Sequence, residues 1–179
     1  CDVRDRNEMK KIFFNFKPSI IYHAAALKHV SICEENVSEA IKINAIATNT
    51  LAELAEIYKS KCFVLISTDK AVSPSSVMGS TKKIAENIIQ SKDRFSKYKT
   101  RFITVRFGNV LGSQGSVVPL FKNQIEKGGP VTVTSKNVSR FFMTIEEAVG
   151  LVLNATIEQY NTNPNFRGCV SVLNMGASI

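Results

Sequence analysis

The chemistry in this sequence is densest at Leu65-Ile66-Ser67-Thr68-Asp69-Lys70-Ala71, followed after Pro74 by Met78-Gly79-Ser80-Thr81-Lys82. Thr68, Asp69 and Lys70 put a hydroxyl, a carboxyl and an amine in consecutive positions. Such a set can hold an oxygen, give a proton and take one, which is the equipment of general acid–base catalysis. The apolar run from Cys62 to Ile66 reads as a buried strand, and ligands of open α/β sheets gather at the carboxyl ends of strands. A hydroxyl and two charges would equally suit an ordinary surface turn, so these residue types alone leave both readings open.

A second group follows another apolar run, Ser19 to His23, as Ala24-Ala25-Ala26-Leu27-Lys28-His29-Val30. Small residues there let the backbone approach a flat cofactor, or let a helix pack tightly on the strand. His23 is assigned to the core. Asn44 lies in an apolar helical stripe, where a polar side chain needs a partner; a structural bond to the backbone and a supporting role at the site both satisfy that need. Further on, Arg106-Phe107-Gly108-Asn109-Val110-Leu111-Gly112 leads into Ser113-Gln114-Gly115-Ser116, hydroxyls and flexible backbone before a helix start. That suits a diphosphate, although the glycines also serve turns. Arg140, before Phe141-Phe142-Met143-Thr144, is either a ligand cation or a surface one.

The elements that must position these groups alternate. Asp5 to Phe16 reads as an amphipathic helix ended at Lys17, because the residue before Pro18 is pushed out of the α region. Cys1 to Asp5 reads as the end of a strand in progress, so the sequence is taken as a piece of a longer protein. Ser19 to His23, Cys62 to Ile66 and Arg101 to Phe107 are predicted strands; Glu34 to Tyr58 and Met78 to Phe95 are predicted helices. That alternation predicts an α/β fold, a Rossmann-like doubly wound parallel sheet lacking its N-terminal part. After Gly108 the glycines shorten the elements, as in a smaller C-terminal lobe. A helix at Val117 to Glu126, a strand at Val131 to Thr134, a helix from Thr144 to about Tyr160, an exposed loop from Asn161 to Gly168 and a strand at Cys169 to Leu173 are expected there.

With 179 residues and 44% hydrophobic residues, the chain can bury the core of one domain. Lys and Arg exceed Asp and Glu by 23 to 15, but Lys82-Lys83, Lys92, Lys97 and Lys99 look like solvated helix faces, without the aromatic interleaving of a nucleic-acid surface. The residual positive charge suits a phosphate-bearing small molecule. Cys1, Cys33, Cys62 and Cys169 lack paired metal-ligand spacing and read as buried, reduced thiols, with no metal expected. No apolar run is long enough to span a membrane.

Ser67 to Ala71, with Pro74 and Lys82 behind it, resembles the active site of nucleotide-sugar 4,6-dehydratases of the polysaccharide-biosynthesis branch, within the extended short-chain dehydrogenase/reductase family. That family usually carries Tyr-x-x-x-Lys here; Lys82 matches and Met78 stands in the tyrosine's place, as in the larger membrane-anchored members. A thioether cannot take a proton from a sugar hydroxyl, so another group must be the base. The likeness runs from Asp2 to Gly176. It implies that residues 1–108 are the C-terminal part of a dinucleotide-binding domain and that 109–179 are mainly a substrate lobe.

The resemblance further implies NAD or NADP as cofactor, met by Asp2, Val3, Ala24, Ala25, Ala26, Lys28, Asn44 and Lys82. Asp2-Val3 would face the adenine; a turn aspartate before a helix fits these residues equally. A UDP-sugar would meet Lys28, Asn109, Ser113, Ser116 and Arg140. The implied reaction oxidises C4 of UDP-N-acetylglucosamine, removes water across C5 and C6 and returns the hydride to C6. Asp69 would be the acid at the 6-hydroxyl, Lys70 the base at C5, Thr68 the holder of the 4-oxygen and Lys82 the ribose ligand, with Met78 beside them. A 4-epimerase of the same fold, or a module that kept the pocket and lost catalysis, are the alternatives. A homo-oligomer on the cytoplasmic side, anchored to the inner membrane only through segments outside this chain, completes the expectation.

Overall fold

The computed structural model describes residues 1–113, 117–133, 139–162 and 166–177. Helix α1 (Arg6–Phe16) starts at Asp5, whose carboxylate accepts from the backbone N–H groups of Asn7 and Glu8. It stops at Lys17, which turns left-handed with φ 42° before Pro18. Strand β1 (Ile20–His23) follows, then α2 (Val30–Glu35), α3 (Val37–Ile41), a π-helical turn (Lys42–Ile46) and α4 (Ala47–Ile57). Strand β2 (Cys62–Thr68) runs into a 3₁₀ turn at Asp69–Ala71, then α5 (Val77–Phe95) and β3 (Arg101–Phe107). The remainder is β4 (Asn109–Val110), α6 (Val117–Glu126), β5 (Phe142–Met143), α7 (Ile145–Asn161) and β6 (Val170–Val172).

One four-stranded sheet has the order β1-β2-β3-β6, with every pair parallel. Parallel neighbours need long crossovers, and the helices that make them cover both faces. Alternation along β2 shows the layers. Phe63 and Leu65 join Leu51, Leu54, Ala85, Ile89 and Phe102 on the side of α1, α4 and α5. Cys62 and Val64 join Ile103, Val105, Val152 and Ala155 on the side of α7. This is the expected α/β fold of Rossmann type.

Five details depart from the sequence reading. Cys1 to Asp5 forms a turn, not a strand end, closed by Asp5 N–H donating to Asp2 C=O. The single helix expected over Glu34 to Tyr58 is interrupted at Asn36, whose backbone leaves the helical region, and widened by the π turn. Residues 131–133 are irregular rather than a strand, and Thr134 lies outside the described residues. Asn161, placed in the loop, still belongs to α7, and 163–165 are outside the described residues. Cys33 and Cys62 are buried, but Cys1 and Cys169 are exposed. The short parallel pair β4–β5 carried no sequence signal, because two-residue strands have no period.

Helix α7 was legible at its start: Thr144 Oγ accepts from Glu147 N–H, and the Glu147 carboxylate accepts from Thr144 N–H in return. This reciprocal cap satisfies two donors that an unfinished helix end leaves open. Among the described residues no helix is long and apolar enough to cross a membrane.

Candidate active site

A cavity of about 850 Å³ opens where β2 and β3 end, between the sheet and the β4–β5 pair. Thr68, Lys70, Met78 and Lys82 line one side, Ala24, Ala26, Leu27 and Lys28 a second, and Asn109, Ser113 and Arg140 belong to the lobe beyond.

The Asp69–Ala71 turn is built by its own side chains. Thr68 is its N-cap, and the Thr68 hydroxyl donates to Asp69 Oδ1 at 2.9 Å. Lys70 Nζ donates to the same Oδ1 at 2.9 Å and to Asn109 Oδ1 at 3.2 Å. Burial pulls the Asp69 carboxyl upward, but the bonds from Lys70 and Thr68 outweigh it and leave its pKa below the ordinary aspartate value. Asp69 is therefore a carboxylate at neutral pH. It does not line the cavity itself; its two bonded neighbours do.

Helix α5 brings Met78 and Lys82 under this turn. Ser76 caps the helix by accepting from Gly79 N–H at 3.1 Å. Gly79 has no side chain where one would collide: a Cβ there would sit 2.4 Å from the Lys70 carbonyl oxygen. Met78 is buried against Cys33 and Ala40 while its edge lines the cavity. Lys82 is buried rather than solvated, and its ammonium donates to the Ile66 carbonyl at 2.6 Å. Burial pushes it down to about 8, against the opposing pull of Glu86.

The ammonium is present below pH about 8 and is lost above it, so any step that uses its charge should weaken as pH rises through about 8. In the full-length protein the rate of such a step is expected to fall across this window. Lys82→Arg, always charged, should flatten the fall, and a flat profile in the unaltered protein would leave Lys82 as a structural residue.

The loop from Ala24 to His29 is held from behind. Asn44 is fully buried, in the π turn. Its amide oxygen accepts from Leu27 N–H, and its amide nitrogen donates to the Leu27 carbonyl and the Thr81 hydroxyl. A π turn shifts the side-chain phase of a helix and is common at functional sites; here it lies where one side chain ties loop, helix and α5 together. The Asn44 side chain thus acts on the loop and does not reach the cavity lining. His23 is core, as expected: its Nε2 lies 2.8 Å from Thr48 Oγ, whose own proton goes to the Asn44 carbonyl, so Nε2 carries a hydrogen. Burial, with Lys82 nearby, pushes this imidazole down to about 4 and keeps it neutral.

Other expected residues lie elsewhere. Asp2 is exposed and paired with Arg4, and Val3 packs against the core; neither lines the cavity. Ala25 is exposed without lining it, and Ser116 lies outside the described residues. Sequence reasoning missed Gly79, Thr81 and Glu86, although Glu86 is one helical turn beyond Lys82. It also missed Met175, whose sulfur accepts from Gly108 N–H at 2.9 Å and sits beside the turn. An apolar wall from α6 and β5, with Leu120, Phe121 and Phe142, was not assigned either.

Across residues 1–179 the sequence matches the family described as polysaccharide biosynthesis protein. It is 56% identical over 155 residues to the capsular polysaccharide biosynthesis protein CapD of Staphylococcus aureus, covering 87% of this chain and 26% of that one. It is 41% identical over 155 residues to a UDP-glucose 4-epimerase of Rickettsia bellii, covering 86% of this chain and 45% of that one. Among solved structures, Pen from Bacillus thuringiensis superposes with a TM-score of 0.82 at 40% identity, over 87% of this chain and 49% of Pen. The dTDP-glucose 4,6-dehydratase DesIV of Streptomyces venezuelae, with NAD and TYD bound, reaches 0.84 at 17% identity over 100% of this chain and 58% of DesIV, a likeness of fold alone. The chain thus spans 26% of the length of CapD and 45% of that of the Rickettsia epimerase.

Proposed function

Because this chain belongs to the polysaccharide biosynthesis protein family, we propose that the full-length protein is a nucleotide-sugar 4,6-dehydratase acting on UDP-N-acetylglucosamine with NAD or NADP. The observation that carries this reading is the chain of contacts in which Asp69 accepts from Thr68 and from Lys70, and Lys70 also donates to Asn109, beside the cavity. Hydride exchange alone needs no paired acid and base next to the sugar; loss of water does.

The residues present fit a nicotinamide dinucleotide: Ala24 and Ala26 leave a flat wall without bulky side chains, and Lys82 offers a buried ammonium at the strand end. Such a cofactor supplies an acceptor that takes the hydride from C4 and returns it to C6. Lys82 holds its ribose and favours the developing oxyanion through its charge. Lys28 and Arg140, cations on different elements at the cavity rim, hold the diphosphate, and Asn109 and Ser113 the sugar.

Asp69 rests as a carboxylate, yet departure of the 6-hydroxyl needs an acid, and Met78 cannot be the base at the 4-hydroxyl. One proton solves both difficulties. The 4-hydroxyl, held by Thr68, gives its proton through the Thr68 hydroxyl to Asp69, 2.9 Å away. Asp69 is then the acid that protonates the 6-hydroxyl, which leaves as water. Lys70, after yielding its ammonium proton to solvent, takes the proton from C5, and a solvent-exchanged proton returns from Lys70 to C5 as the hydride reaches C6. In this scheme Met78 only fills space. Met78→Leu, which conserves volume, is expected to leave turnover within a few fold, and a collapse of the hydride step would give the sulfur a direct role.

Incubating the full-length protein with UDP-N-acetylglucosamine and NAD or NADP tests the reading. A UDP-4-keto-6-deoxy-hexosamine supports it. The second reading, a 4-epimerase, is favoured by the likeness to the Rickettsia protein and would give the C4 epimer. Unchanged but bound sugar nucleotide would indicate a binding module.

A further inference from the structure

Beneath the cavity, on the helix side of the sheet, lies a charged cluster in which the proposed chemistry gives no group a reacting part. Glu86 of α5 is fully buried. Its Oε1 accepts from the Ser67 hydroxyl at 2.6 Å and from Arg106 Nε at 3.0 Å, and its Oε2 accepts from Arg106 Nη2 at 2.5 Å. Ser67 and Arg106 are register partners in the β2–β3 pair, so one carboxylate grips both strands at the same level. Alternation explains why these side chains meet: Ser67 continues the row of Phe63 and Leu65, and Arg106 that of Phe102, all turned toward α5.

The next residues on each strand belong to the site. Ser67 precedes Thr68, Asp69 and Lys70; Arg106 precedes Phe107, Gly108 and Asn109. The Lys70 to Asn109 contact at 3.2 Å bridges the same two strand ends on the cavity side. The distance between the Lys70 amine and the lobe that begins at Asn109 is therefore set by how far β2 and β3 can slide. The clamp below resists that sliding, because a bidentate guanidinium–carboxylate pair fixes direction as well as distance.

Stability alone is a weak reason for this arrangement. Burying two charges costs several kcal/mol each, and apolar residues of similar size often serve as well or better. We propose that Glu86 is a positioning residue, which through Ser67 and Arg106 fixes the strand end carrying Thr68, Asp69 and Lys70 against the one carrying Asn109. The inference rests on the dehydratase reading, and it assigns Glu86 no contact with substrate.

The test uses full-length protein, with the unaltered enzyme run in parallel. If the unaltered enzyme yields no 4-keto-6-deoxy sugar, the dehydratase reading falls and this inference falls with it; if it does, the variants judge Glu86 alone. Glu86→Gln keeps the volume and an acceptor for Ser67, but turns an amide NH₂ toward Arg106. A misplacement of about 1 Å can cost about 10²-fold in rate, so kcat is expected to fall about tenfold to a hundredfold with KM within about twofold. Because this variant leaves Arg106 buried without a counter-charge and could unfold, Glu86→Met with Arg106→Met removes both charges together. The double variant is expected to stay folded, with a melting temperature at or above that of the unaltered protein, and to remain as slow as Glu86→Gln. A double variant that regains normal kcat, or a Glu86→Gln enzyme whose loss lies in KM, would overturn the proposal.

Discussion

Replacing Asp69 by Asn, or Lys70 by Ala, in the full-length protein is expected to lower turnover by about 10² or more, the usual scale for a positioned acid or base. The two variants should fail at different stages. The amide of Asp69→Asn cannot accept the proton of the 4-hydroxyl, so reduction of the nicotinamide in a single turnover should slow along with water loss. Lys70→Ala leaves the Thr68 to Asp69 bond intact, so the hydride should still leave C4, and the reduced cofactor should accumulate because C5 keeps its proton. UDP binding should change little in either, since neither side chain is assigned to the nucleotide. Near-normal dehydration by either variant would remove these roles.

Gly79→Ala should be nearly as damaging without touching a reactive group. The added Cβ would lie 2.4 Å from the Lys70 carbonyl oxygen, 3.1 Å from Pro74 Cβ and 3.2 Å from Ser76 Oγ. The first of these neighbours is backbone, so relief requires moving the Asp69–Ala71 turn or the start of α5. Overpacking of this kind costs about 1–3 kcal/mol, and alanine in place of a helical glycine returns up to about 1 kcal/mol. The protein should therefore stay folded with its melting temperature lowered by only a few degrees. Turnover should drop about 10²-fold, because the turn that carries the acid and base shifts by a sizeable part of an ångström. Gly79→Ser should be no better, and an alanine variant with normal turnover would show that the turn yields freely.

Much of this arrangement could be read from residue order. The strand–helix alternation implied the parallel sheet, because apolar runs of strand length separated by amphipathic segments have few other ways to bury themselves. The helix start at Thr144 was expected from the residue order, and the structure begins α7 directly after it. Thr68, Lys70, Met78 and Lys82 were singled out as neighbours, and they border one cavity.

What stayed hidden depended on relations between distant segments. The π turn at Lys42–Ile46 leaves the apolar spacing of its helix almost intact, so only the bonds of Asn44 reveal its use. Gly79 matters through the carbonyl of Lys70, across a turn where spacing alone gives no warning. Lys82 and Lys83 are neighbours in a basic helix, yet one is buried and the other is not. Their separation follows from helix phase, which also sets Glu86 beneath the same strands. The exposure of Cys1 and Cys169 shows the limit of reading burial from residue type.

In the proposed reaction Asp69 and Lys70 remove water across C5 and C6 between two transfers of one hydride. This is tested most directly with UDP-N-acetylglucosamine carrying deuterium at C4, converted by the full-length protein in ordinary water and examined by NMR. Deuterium is expected in the C6 methyl group of a 4-keto-6-deoxy product, with C5 carrying a hydrogen from solvent. A product that keeps its deuterium at C4 and its hydroxyl at C6 would contradict this reaction, and would make the Asp69–Lys70 pair a fixture of the turn rather than the agent of dehydration.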